Sequence, residues 1–325
     1  MKMAGAMALL LTLLFALFLF WFVLRLARRR ALAMPPGPAP QADAGALAAA
    51  AALVPAVRAA FSGREEEGGL AYDVPLVLLL SEPGADQSLV LPDALPEAGE
   101  RTAQEAQPLR WHRTPQGWIL AADAAYLGLD VPEGSAAWQA LAEELQRRRP
   151  RRPLDGILLS ITADALQGEQ AWPTVELERR AGLIQRRLDH MQRLFGLRLP
   201  VFLVITHADR LDGYTSFASA LPEGLRQAML GWSVPDAPDT GFQPEWIHAG
   251  FEELSRSICA LQAEMLAAGT RISDSDAFFM LPGSVAALAV PLHSYIARLL
   301  RDSAHDVAPL FRGVYLCGGP GVGAH

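Results

Sequence analysis

At 325 residues, with 51% hydrophobic and 19% charged side chains, the chain can build one large domain or two small ones around a sizeable core. A formal net charge of −7 argues against a nucleic-acid binder, which normally presents a basic face. Cys259 and Cys317 lie far apart and outside any CxxC, and the histidines are scattered without HExxH spacing; neither a disulfide framework nor a metal site is expected.

The N-terminus reads as a membrane anchor. From Met3 to Leu24 there is no charged residue, and about 20 apolar residues cross the hydrocarbon core of a bilayer. Lys2 precedes this run, while Arg25, Arg28, Arg29 and Arg30 follow it. Positive residues stay on the cytoplasmic side, so the rest of the chain is expected in the cytoplasm after a single pass. A secretory signal peptide is the alternative; the long apolar run and the arginine cluster on its far flank speak against it. Residues 1–30 are therefore the anchor with its basic flank. Residues 31–71 form a Pro/Ala linker and an Ala-rich helix ending near Glu65, Glu66 and Glu67.

From Tyr72 the pattern becomes apolar runs of strand length separated by helical stretches. Strands are predicted at 74–80 (VPLVLLL), 118–122, 156–161 (GILLSI) and 201–205 (VFLVI), with a possible fifth at 277–281 (AFFML). Continuous apolar strands imply a sheet covered on both faces. Helices are predicted at 135–149, ending in Arg147, Arg148 and Arg149, and at 175–195. In the second, Leu177, Ala181, Ile184, Leu188, Met191 and Phe195 share one core-facing stripe. This alternation predicts an α/β, doubly wound, mostly parallel sheet over 72–245, followed by a mainly helical extension over 246–325.

Three strand ends invite comparison with a nucleotide site of the P-loop-NTPase type. The octapeptide Ser81-Glu82-Pro83-Gly84-Ala85-Asp86-Gln87-Ser88 stands where GxxxxGK[ST] would stand, after the first parallel strand. Ser81 and Asp86 replace the glycines and Gln87 replaces the lysine; Ser88 matches. Two carboxylates, Glu82 and Asp86, are added where phosphates would sit, and like charges about 4 Å apart repel by roughly 4 kcal/mol at an effective dielectric near 20. The second strand end carries Asp123, a candidate magnesium carboxylate with no DxxG glycine. The third reads Thr206-His207-Ala208-Asp209, where Thr206 and Asp209 fit an [NT]KxD base-reading motif and His207 replaces its lysine. The expected relic pocket is thus Gly84, Gln87, Ser88, Asp123, Thr206 and Asp209, with no catalytic residue, no metal and no cofactor. An ordinary turn remains the alternative at each position.

The flanking residues resemble a known family. Arg149-Pro150-Arg151-Arg152-Pro153-Leu154-Asp155-Gly156-Ile157-Leu158-Leu159 resembles the RPRRPLNGVLL segment of the IcmF/TssM family, the inner-membrane core subunits of type VI secretion systems. The stretch 199–209, followed by Leu211 and Gly213-Tyr214, resembles its LPVYVLLTKxDLLxGF. Tyr72-Asp73-Val74-Pro75 and Arg312-Gly313-Val314-Tyr315 resemble its LYxLPWY and RGVYF. The resemblance implies a cytoplasmic NTPase-like domain in a bacterial inner-membrane complex. Its implied partners are a TssL (IcmH/DotU)-type subunit and the secretion baseplate; the lipoprotein TssJ would be reached only through a periplasmic region beyond this sequence. A non-catalytic scaffold is the expected function, and a membrane-tethered ATP- or GTP-binding switch is its rival. The absence of a GxSxG elbow leaves a Ser/His/Asp hydrolase unsupported, with Ser284 expected in a loop after a strand. The glycine-rich tail after Cys317 is read as a chain terminus, and the Arg147–Arg152 elbow as a candidate contact or a solvated helix end.

Overall fold

The computed structural model describes residues 54–61, 72–91, 109–122, 132–225, 229–235, 240–302 and 307–319. The Met3–Leu24 run, the Pro/Ala linker, Asp123 and the tail beyond Gly319 lie outside the described residues. Of the Ala-rich stretch, 54–61 is helical, and it buries Val57 and Phe61.

The α/β alternation closes into one seven-stranded sheet. Its strands are β1 (Leu76–Ser81), β2 (Leu109–Thr114), β3 (Gly117–Ala122), β4 (Gly156–Thr162), β5 (Pro200–Thr206), β6 (Leu230–Ser233) and β7 (Leu310–Leu316). They run in the spatial order β2-β3-β1-β4-β5-β7-β6. The five inner strands are parallel, and the two edge strands β2 and β6 are antiparallel to their neighbours. β1, β4 and β5 are buried almost throughout, as continuous apolar strands under helices on both faces must be.

The helices are α1 (Gln87–Val90), α2 (Pro132–Arg148), α3 (Ala163–Leu166), α4 (Thr174–Phe195), α5 (Tyr214–Ala220), α6 (Glu245–Ala267), α7 (Ser275–Ala287) and α8 (Ala289–Leu299). α4 buries the stripe expected of it and packs against α2 and α8, while α7 packs against α5 and α6. The candidate strand at 277–281 and the loop expected at Ser284 are both corrected: they are helical turns of α7. Asp274 caps that helix by accepting from the Ala277 amide at 3.0 Å. Phe278, Leu281 and Val285 then face the core at helical spacing while Phe279 and Met280 are exposed. Among the described residues, Ser275–Leu299 is long and apolar enough to cross a membrane by length and composition; Phe278, Leu281, Leu292 and Tyr295 within it lie in the domain core.

The RPRRPLD segment acts inside the fold. Arg149 is fully buried at the end of α2. It pairs with Asp155 at 3.2 Å and lies 5.3 Å from the Tyr72 ring centroid. The other oxygen of Asp155 pairs with Arg152 at 2.7 Å. Its Oδ2 also accepts from the Leu76 amide at 2.8 Å, which ties the start of β1 to the start of β4. Arg147 and Arg148 pair with Glu144. Arg147, Arg151 and Arg152 of the elbow are exposed, while Arg149 is not. Removing one partner of a buried ion pair strands the other. Arg149→Ala should therefore lower stability by about 3 kcal/mol in denaturant unfolding, whereas Arg151→Ala at an exposed side chain should change it by less than about 0.5 kcal/mol.

Candidate functional site

Chain direction locates the site to examine. From β1 the chain passes to β3 on one side, and from β4 to β5 on the other. The carboxyl ends of β1 and β4 therefore flank a topological switch point, where open α/β sheets hold their ligands. The loop Glu82–Asp86 lies at that point, and the loops after β5 and β7 close the same edge.

The first loop is a tight turn. The Glu82 amide continues the ladder by donating to Ser160 O at 2.8 Å, and the Glu82 carbonyl accepts from the Ala85 amide at 3.0 Å. Pro83 and Gly84, the latter at φ +83°, are the central residues that a type II turn requires. Ser81 is buried and accepts a hydroxyl hydrogen bond from Ser160 at 3.0 Å. Asp86 then caps α1, its Oδ1 accepting from both the Ser88 amide at 2.8 Å and the Ser88 hydroxyl at 2.7 Å. A phosphate cradle needs free backbone amides converging on one hollow. Between Glu82 and Ser88, the amides of Glu82, Ala85 and Ser88 are already engaged, and Pro83 has none. The chain's own carboxylate sits at the start of α1, where an external anion would have to bind.

Gln87, at the lysine position, is buried. Its Nε2 donates to Ala122 O at 3.1 Å, and its Oε1 accepts from Arg110 of β2 at 2.6 Å. The only lysine in the whole sequence is Lys2, so no lysine of the α/β domain can replace the missing one. Arg110 is the cation that comes nearest to that role, and it is engaged with the glutamine.

Glu82 is 1% exposed and is held by residues the sequence reading did not single out. Arg180 of α4 pairs with its Oε2 at 2.9 Å, and Tyr295 of α8 donates to its Oε1 at 3.0 Å. Arg180 also bonds Glu176 at 2.8 Å and lies 4.4 Å from the Trp172 ring centroid. Burial pushes the Glu82 carboxyl above its ordinary value of 4.5, even though Arg180 and Tyr295 pull it down. The only sequence signal for this cluster was a carboxylate at the end of a buried strand, which must find a buried partner.

The loop after β5 is stitched in the same way. Thr206 is fully buried, and His207 adopts a left-handed φ of 55°. The Ala208 amide donates to Cys317 O at 3.0 Å, and Arg210 pairs with Asp164 of α3. Asp209 Oδ1 accepts from the Gly319 amide at 2.8 Å. Gly318 passes so close to Tyr214 that a Cβ there would lie 2.5 Å from the ring. A Cβ on Gly319 would lie 3.7 Å from both Asp209 and Leu89 of α1, so the loop after β7 runs between the first and third candidate elements. Gly84, Gln87, Ser88, Thr206 and Asp209 thus share one edge of the sheet, each turned toward the chain itself. Thr162 is the exception: its buried hydroxyl has no hydrogen-bond partner, and its methyl faces Gly84.

The sequence profile of the IcmF-related N-terminal domain matches residues 133–325, more than half of the chain. The type VI secretion system component TssM1 of Pseudomonas aeruginosa is 25% identical over 289 residues, which cover 84% of this chain and 26% of that protein. The chain thus spans about a quarter of the length of this relative. No solved structure matches.

Glu82 gives a prediction with a defined sign. A carboxyl raised by folding binds its proton more tightly in the native state, so its contribution to stability is present below pH 4.5 and declines as pH rises through the folded value. Wild-type stability minus that of Glu82→Gln should therefore fall as pH is raised from about 4.5, as followed by urea unfolding at stepped pH. At neutral pH, Glu82→Ala should lose about 3 to 5 kcal/mol, because Arg180 and Tyr295 are left without their acceptor.

Proposed function

The chain belongs to the IcmF-related family, and on that premise we propose that it is a non-catalytic structural subunit of a bacterial type VI secretion membrane complex. The relative's name supplies the system. In this reading the α/β domain works on the cytoplasmic side of the inner membrane, tethered through the apolar N-terminal run. It presents its surfaces to a TssL-type subunit and to the baseplate. Contact with a TssJ-type lipoprotein would need a periplasmic region.

One observation carries the non-catalytic part of the proposal. Several groups that would face a nucleotide's phosphates are engaged by the chain's own atoms: the Ser88 amide by Asp86, Gln87 by Arg110 and Ala122, and the Glu82 turn by itself. Phosphoryl transfer proceeds by positioning and by neutralising charge on the transferred group. At this edge Arg180 and Arg110 are engaged by Glu82 and Gln87, and no lysine occurs in the domain.

Calorimetry of the full chain in detergent, with millimolar ATP or GTP and magnesium, is expected to give no saturable heat. Saturable binding that disappears in Asp209→Ala or Ser88→Ala would overturn the scaffold reading in favour of a nucleotide switch.

A further inference from the structure

A groove of about 440 Å³ runs between α4 and α8. Its α4 wall carries Val175, Arg179, Gly182, Leu183 and Arg186, spaced so that they fall on one outer face of the helix. Val175 is 78% exposed, an unusual state for a branched apolar side chain on a well-packed helix. Arg298 of α8 forms the facing wall and lies flat over the backbone of Gly182, where an added Cβ would meet its guanidinium at 2.6 Å.

The charges of this groove are not balanced locally. Arg179 is paired with Glu176 at 2.7 Å. Arg298 donates to the neutral amide oxygen of Gln185, and neither it nor the exposed Arg186 has a carboxylate partner among the described residues. Three arginines against one glutamate, Glu178, line the groove in a protein whose net charge is −7. A cationic hollow in an acidic protein favours an acidic partner there and discourages it elsewhere on the surface. Val175 and Leu183 line the groove beside the arginines, and that pairing of apolar and cationic side chains matches carboxylates flanking an apolar stripe, whereas a free phosphate would leave the apolar surface uncovered. The stretch from Val175 to Arg186 spans about 16 Å along the helix axis, roughly three helical turns of a partner.

We propose that the groove between α4 and α8 docks an acidic amphipathic helix of a partner protein. This deepens the scaffold reading and rests on it only in supposing that a protein partner exists.

The test uses the full chain in the cells that make it. Val175 is replaced by photoreactive p-benzoylphenylalanine, and the cross-linked peptide is sequenced by mass spectrometry. The expected adduct is a peptide with Asp or Glu flanking apolar residues at helical spacing, and its yield should fall at least about tenfold in Arg186→Glu, which places like charges face to face. A lipid adduct, a peptide without acidic excess, a yield indifferent to Arg186→Glu, or no adduct in cells containing the assembled complex would each overturn the proposal. Calorimetric binding of ATP or GTP would sink the scaffold reading without changing the adduct, so the two failures are distinguishable.

Discussion

The arrangement depends most on a carboxylate held where water cannot reach it. Glu82 ends the first parallel strand at the switch point, and its two oxygens are taken by Arg180 and Tyr295, 98 and 213 residues further along the chain. Neither partner is optional once the carboxylate is buried, because an unpaired charge in that position costs several kcal/mol. The loop after β1, the start of α4 and the middle of α8 are therefore fixed with respect to one another by a single side chain. Arg180 carries the link outward through Glu176 and Trp172. The segment beyond residue 245, mainly helical by its sequence, is in this sense part of the foundation of the β1 loop, and β7 from the same segment lies inside the sheet.

The same economy of hydrogen bonds explains why the carboxyl edge of the sheet is closed. Backbone amides at a strand-to-helix turn are a finite set, and each can point at a ligand or at the protein. Here Asp86 takes the amide and the hydroxyl of Ser88, the second residue of α1, and Asp209 takes the amide of Gly319. Gln87 joins two strand ends through its amide group instead of projecting a charge outward. The polar groups at these strand ends are turned inward, onto the chain itself. Thr162 alone keeps a buried hydroxyl uncommitted at this edge.

Much of the architecture is legible from runs of apolar residues. The strands over 74–80, 118–122, 156–161 and 201–205 stand out because an inner parallel strand is apolar on both faces. β2 escapes the same reading since Leu-Arg-Trp-His-Arg-Thr is an edge strand with polar side chains at alternate positions, Arg110, His112 and Thr114. The run at 277–281 misleads in the opposite direction: a short apolar stretch has no periodicity of its own, and its helical nature shows only when Asp274 is recognised as a cap and Val285 is counted with it. At the site, the places of Gly84, Gln87, Ser88, Thr206 and Asp209 follow from strand ends, but their partners do not. Nothing local to Glu82 points to Tyr295, and nothing local to Gln87 points to Arg110.

Charge shows the same limit more sharply. The sequence displays its densest cations at Arg147–Arg152, yet most of that cluster is paired within the chain: Arg149 is buried on Asp155, Arg152 shares the same carboxylate, and Arg147 and Arg148 pair with Glu144. A run of like charges along a helix end is drawn inward when a carboxylate waits at the neighbouring strand. The cationic groove on α4 is assembled from Arg186 and Arg298, more than a hundred residues apart and inconspicuous in sequence. A glycine at 182 makes it possible, since any side chain there would displace the Arg298 guanidinium from the helix backbone. Charge patches of this kind arise from packing geometry, so unbalanced charge is better sought on the folded surface than in the charge runs of a sequence.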